Sequence, residues 1–166
     1  MRKYPENTAA HVIGYLGEVN DMQTKKDKYY TKGDLAGKTG IEAAYEKKLR
    51  GKKGMTIKLV DVHNREQGKF QKGKYDTLST PGKTLISTID IELQKYGEKL
   101  LNNKIGSIVA IEPSSGEILS LISAPNYDLN HLSGRKRSIN YKNLSLDLNK
   151  PLLIDHYKVL IPPDQY

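Results

Sequence analysis

Ser107-Ile108-Val109-Ala110-Ile111-Glu112-Pro113-Ser114-Ser115-Gly116-Glu117-Ile118-Leu119-Ser120-Leu121-Ile122-Ser123 is the strongest local signal in the chain. Two apolar, strand-like runs, 107–112 and 117–123, flank a proline, two serines and a glycine. Proline early in a connection presets φ and glycine late supplies a positive φ, so the stretch predicts a tight antiparallel hairpin. Just upstream, Leu85 to Ile89 is again apolar and β-branched. Asp90 can then cap a helix with Leu93, Tyr96, Leu100 and Leu101 on one face, fraying at Asn102-Asn103.

Towards the N-terminus the signals alternate. Ala10 to Gly17 is a short apolar run closed by glycines and reads as strand or turn, followed by a polar loop to Asp34. Thr39 and Glu42 have the spacing of a capping box, and Ile41, Tyr45 and Leu49 recur at helical intervals. Glu46 and Arg50 stand one turn apart, and Gly51 follows as a C-terminal stop, so one helix is expected from Thr39 to Arg50. Met55 to Val62 alternates like a strand entering a turn at His63-Asn64, and Gln67 to Thr80 reads as a polar return or loop. From Ala124 to about Asn149 the chain reads as loop.

Composition narrows the function classes. The chain has 166 residues, 37% of them hydrophobic and 28% charged, which suits a modest core. With no cysteine there is no disulfide framework, no thiolate metal site and no cysteine nucleophile. The longest apolar stretch, Ile118 to Ile122, is far too short to span a bilayer, and Met1-Arg2-Lys3-Tyr4-Pro5 contains no signal-peptide core. As written, the sequence is expected to be cytoplasmic. A net charge of +8 favours anionic contacts: nucleic acid, anionic lipid or anionic wall polymer.

Several segments together resemble the class B penicillin-binding proteins of the elongation type. Arg2-x-Tyr4-Pro5, Ala10-His11-Val12-Ile13-Gly14-Tyr15-Leu16-Gly17 and Gly37-Lys38-Thr39-Gly40-Ile41-Glu42, running through Tyr45-Glu46 to Leu49-Arg50-Gly51 and Gly54, resemble that family's non-catalytic pedestal. Ser87-Thr88-Ile89-Asp90 with Leu93-Gln94, then Gly106 to Ser123, then Pro125-x-Tyr127-Asp128-x-Asn130, resemble the first helix and hairpin of its transpeptidase domain. The resemblance implies an α+β fold: an incomplete pedestal (dimerisation) domain over 1–82, the N-terminal part of a transpeptidase domain over 83–153, and an unrelated tail over 154–166. It also implies a parent anchored in the cytoplasmic membrane with an extracytoplasmic body. That parent would be a serine D,D-transpeptidase acting on peptidoglycan stem peptides and contacting other cell-wall synthesis proteins.

The family's nucleophile and base form Ser-x-x-Lys one helical turn apart, after Pro-Leu-x-Asn-Arg and Tyr-Pro-Pro-Gly. Here Asn149-Lys150-Pro151-Leu152-Leu153 fits, and Ile154 to Tyr166 does not. One allowed coding of Ile154 to Tyr166, with a single A restored after the Leu153 codon, reads Asn-Arg-Ser-Leu-Gln-Gly-Thr-Tyr-Pro-Pro-Gly-Ser-Ile. The tail is therefore expected to be frameshifted, and the chain to stop before its catalytic serine.

Three look-alikes occur: Ser133-Gly134-Arg135-Lys136 as Ser-x-x-Lys, Ser138-Ile139-Asn140 as Ser-x-Asn, and Lys38-Thr39-Gly40 as Lys-Thr-Gly. Each reads as an ordinary loop or capping segment. Gly33 to Thr39 imitates a phosphate loop, but its first glycine is one residue too near the second. His11, His63, His131 and His156 have no common metal spacing, and Glu112 and Glu117 read as flanking a solvated turn. No catalytic, cofactor or metal residue is assigned. The expected function is an inactive transpeptidase fragment. The alternatives are a protein-interaction module of the wall-synthesis machinery and a basic nucleic-acid binder; no nucleic acid is expected as partner, since the Lys and Arg clusters read as solvated faces.

Overall fold

The computed structural model describes residues 3–153; Met1, Arg2 and the tail expected to be frameshifted lie outside the described residues. In chain order the elements are α1 (Ala10–Ile13), β1 (Leu16–Glu18), α2 (Asp21–Lys26), β2 (Leu35–Gly37), α3 (Gly40–Ala44), α4 (Glu46–Leu49), β3 (Lys58–Val60) and β4 (Glu66–Lys69). They continue with α5 (Ile91–Leu100), β5 (Gly106–Ile111), β6 (Ile118–Ala124) and α6 (Arg137–Leu146), with short 3-10 turns at Phe70–Gly73 and Leu129–Leu132. The chain is α+β and divides into two units: 3–44 together with 87–153, and 45–86.

In the first unit the expected hairpin is present. β5 and β6 pair antiparallel from Gly106↔Ala124 to Ile111↔Ile118, and Gly116 takes φ +76° in the connection. Asp90 caps α5, its carboxylate accepting from the amides of Glu92 and Leu93 at 2.9 and 3.0 Å. The face of α5 that packs is not the apolar one. Leu93, Tyr96 and Leu100 remain 38%, 61% and 46% exposed, while Gln94 and Gly97 are buried against β6. Gly97 permits this close approach, because a Cβ there would stand 2.1 Å from Ile122 Cδ1.

Four further expectations are corrected. Ala10–Ile13 is a helical turn, not a strand, and buries Ala10 and His11. The polar run after Glu18 contains α2, held by a capping box in which Asn20 and Gln23 bond each other's backbone amides. The single helix from Thr39 breaks at Tyr45, whose φ and ψ are −111° and 18°. Ile41 is half-buried there and Tyr45 exposed, so no one surface lies beneath the whole apolar series. Finally, α6 occupies part of the expected loop after Ala124. It buries no residue and begins at Lys136 with no capping side chain, so the sequence carried neither usual signal.

The core of this unit is Ala10, Tyr127, Leu129 and Leu132, with Tyr4, Ile13, Tyr15, Leu144 and Leu152 packed around it. α1 and α3 approach backbone to backbone at two glycines. A Cβ on Gly14 would stand 2.0 Å from the Thr39 carbonyl oxygen, and one on Gly40 would stand 2.4 Å from that of Val12. β1 and β2 pair antiparallel beside them, Leu16↔Gly37 to Glu18↔Leu35.

The second unit is an antiparallel ribbon. β3 and β4 pair from Lys58↔Lys69 to Val60↔Glu66, and the bridges Met55↔Thr77 and Lys52↔Thr80 extend the pairing. Asp61 organises the turn by accepting from the amides of Arg65 and His63 and from the Arg65 side chain. Those donors hold its carboxyl below the usual carboxylate range. No residue of 45–86 is buried. Among the described residues, no helix is long and apolar enough to cross a membrane.

Replacing Gln94 by Ala strips the amide and carbonyl of half-buried Leu121 of the side chain that bonds both. The expected loss is about 3 kcal/mol in urea unfolding, and a change below about 1 kcal/mol would refute the packing described. Gly97→Ala should cost about 1–3 kcal/mol by overpacking against Ile122.

Candidate functional site

The polar residues of the first unit converge on a seam between its N-terminal segment and the α5–hairpin element. The buried Gln94 side chain treats Leu121 as a strand neighbour would: Nε2 donates to the Leu121 carbonyl at 3.0 Å and Oε1 accepts from the Leu121 amide at 2.9 Å. Its remaining hydrogen goes to Glu98 Oε1 at 3.0 Å. Glu98 then accepts from the Ala9 amide at 2.7 Å and from Thr8 Oγ1 at 2.8 Å. Ala9, at φ +57°, is thereby held in a left-handed conformation that a non-glycine residue ordinarily avoids.

Asn130 repeats the device on Tyr4. Its Nδ2 donates to the Tyr4 carbonyl at 3.0 Å and its Oδ1 accepts from the Tyr4 amide at 3.3 Å. Asp128 positions it by capping the Leu129–Leu132 turn, accepting from the Asn130 amide at 2.7 Å. Tyr127 donates to the Ala10 carbonyl at 3.1 Å and meets the His11 ring edge-on at 5.2 Å. His11 Nε2 lies 2.8 Å from the Pro151 carbonyl, so this histidine is a buried structural group.

Beside the seam a cavity of about 330 Å³ is lined by Tyr15, Lys38, Leu132, Arg137, Ser138 and Tyr141, among others. The rings of Tyr15 and Tyr141 stand 5.6 Å apart, and Arg137 pairs with Glu18. Burial, reinforced by the Tyr141 hydroxyl, keeps the Tyr15 phenol protonated well above its ordinary range. Two residues of the look-alike motifs, Lys38 and Ser138, thus line one cavity without forming a reactive pair. Lys38 Nζ donates to Gln23 Oε1 at 3.0 Å, the same oxygen that accepts from the Asn20 amide.

The other look-alikes are engaged locally. Ser133 is extended at φ −112° and ψ 158°, so Ser133 and Lys136 do not share a helical turn, and the Ser133 hydroxyl donates to the Asn130 carbonyl at 2.9 Å. Asn140 donates to the His131 carbonyl at 2.8 Å. The Gly33 to Thr39 run contains β2, so its amides pair in a ladder with β1. Glu112, half-buried, and Glu117, exposed, bond Ser114 and Ser115 of the turn. Among the described residues no cluster of histidine and carboxylate groups could hold a metal ion.

Comparison with known proteins gives this arrangement its setting. The family model of the penicillin-binding protein dimerisation domain matches residues 1–87. The chain therefore belongs to the penicillin-binding proteins. Within them it matches the elongation type over nearly its whole length. The peptidoglycan D,D-transpeptidase MrdA of Haemophilus influenzae is 34% identical over 162 residues, which are 94% of this chain and 24% of that relative. PBP2 of Helicobacter pylori, solved in complex with MreC, superposes with a TM-score of 0.73 at 34% identity, over 92% of this chain and 28% of that one. PBP2 of Pseudomonas aeruginosa gives 0.70 at 32% identity, over 92% and 30%. The chain spans about a quarter of the length of the curated relatives it matches.

The seam makes a pH prediction. Burial pushes the Tyr127 phenol from 10.0 up to about 12, so above pH 10 the unfolded chain releases a proton that the folded chain retains. The stability this linkage contributes is complete below pH 10 and lost as pH rises towards 12. Tyr127→Phe should therefore flatten the alkaline limb of a stability-versus-pH curve while lowering stability at neutral pH; an unchanged alkaline limb would contradict it.

Proposed function

We propose that the chain is the part of a peptidoglycan D,D-transpeptidase of wall elongation that supports acyl transfer without performing it. Residues 1–82 supply pedestal and 83–153 open the transpeptidase domain. The observation that carries this reading is the state of its one Ser-x-x-Lys, Ser133 to Lys136: the serine is extended, its hydroxyl donates to a backbone carbonyl, and no lysine lies one turn above it. Acylation needs a base over the hydroxyl, and the motif residues that do line a cavity, Lys38 and Ser138, belong to different patterns.

What the described residues offer is a positioned scaffold. The seam fixes the N-terminal segment against the first hairpin, as a body that transmits contacts to a catalytic domain requires. The Helicobacter pylori relative was solved with MreC, and this supports a cell-wall synthesis protein as the partner of this chain, with stem peptides the substrate of the full-length enzyme.

Fluorescent penicillin tests the reading directly. The intact chain is expected to show no adduct that survives denaturation, and Ser133→Ala no difference from the parent. A covalent adduct located by mass spectrometry on any serine would overturn it.

A further inference from the structure

The charge of the chain is concentrated in one unit. Residues 45–86 hold nine lysines and two arginines against two glutamates and two aspartates, a net +7 out of the +8 of the whole chain. Asp61, Glu66 and Asp76 are each taken up inside the unit, by Arg65, Lys58 and Lys69. Glu42 and Asp27, which would have diluted the clusters, belong to the other unit. Lys52, Lys72, Lys74 and Lys83 are exposed and form no ion pair with a described residue.

The chemistry of this surface selects among anionic partners. Its cations are overwhelmingly lysines, flexible point charges that follow a mobile field of anions, whereas fixed carboxylates or phosphates favour the arginine fork. Phe70 and Tyr75, 37% and 50% exposed, lean on one another at 6.0 Å and 34°, so each ring gives part of its surface to the other rather than to a base. The same ribbon exposes aliphatic side chains: Leu59 and Val60 on β3, and Val62 in the turn, 96% exposed. A lysine-rich ribbon that also exposes aliphatic side chains suits the headgroup layer of a membrane, where the charges meet phosphates and an apolar group enters the interface.

We propose that Tyr45–Ile86 docks on the surface of an anionic phospholipid bilayer, its unpaired lysines against the headgroup phosphates and Val62 in the interfacial layer. Flotation of the intact chain with vesicles tests this and leaves aggregates behind. The chain should float with vesicles of phosphatidylcholine and phosphatidylglycerol in equal parts and not with phosphatidylcholine alone. Binding should vanish at about 1 M salt, where the Debye length is about 3 Å. Lys72→Glu with Lys74→Glu should weaken binding about tenfold or more, while Lys72→Arg with Lys74→Arg should preserve it. Val62→Asp should weaken it with circular dichroism unchanged. Equal flotation with both vesicles, none with the anionic ones, or tighter binding to duplex DNA or polyglutamate than to anionic vesicles would each overturn the proposal.

Discussion

Two side-chain amides each stand in for a missing strand. Gln94 and Asn130 offer a donor and an acceptor with the spacing of a peptide group and present them to one residue each, Leu121 and Tyr4. A buried backbone N–H or C=O that loses water must find another partner, and a two-stranded hairpin leaves one row of such groups on each outer edge. On β6 part of that row is taken up: Thr88 Oγ1 bonds the Ile118 carbonyl, the Asp90 amide bonds that of Leu119, and Gln94 takes both groups of Leu121. The opposite edge, on β5, has no partner among the described residues. By the register, Ser107 and Val109 turn their amides and carbonyls outward there.

The same constraint explains which parts of the fold were legible in the sequence. The hairpin, the Asp90 cap and the stop at Gly51, which takes φ +68°, depend on neighbours close in sequence and could be read from it. The face of α5 could not. Hydrophobic spacing pointed to Leu93, Tyr96 and Leu100, whereas packing chose a glycine that lets Ile122 approach and a glutamine that satisfies a strand edge. Neither residue announces a core by hydropathy. α6 carries no local mark because it buries no residue and has no capping side chain, and the Asn20–Gln23 capping box of α2 opens a lysine-rich run with no buried residue behind it.

Of the candidate site, the look-alike motifs were legible as patterns, and their spacing and context were enough to set them aside. The cavity was not legible, since it joins Tyr15 and Lys38 to Ser138 and Tyr141 from far along the chain. The resemblance motifs fare better when their roles are seen. Tyr4, Gln94, Tyr127, Asp128 and Asn130 all take part in the seam or hold it in place. The two units also differ in kind: one has a core and a polar network, while the other is a charged ribbon with nothing buried.

The seam joins residues 126 apart at Tyr4 and Asn130 and 140 apart at His11 and Pro151. A ribosome adding about 5–20 residues per second leaves the first of these segments without its mate for roughly 6 to 25 seconds. During that interval Ala10, Ile13 and Tyr15 have nowhere to hide, so a nascent chain is exposed to chaperones and proteases before its fold can close.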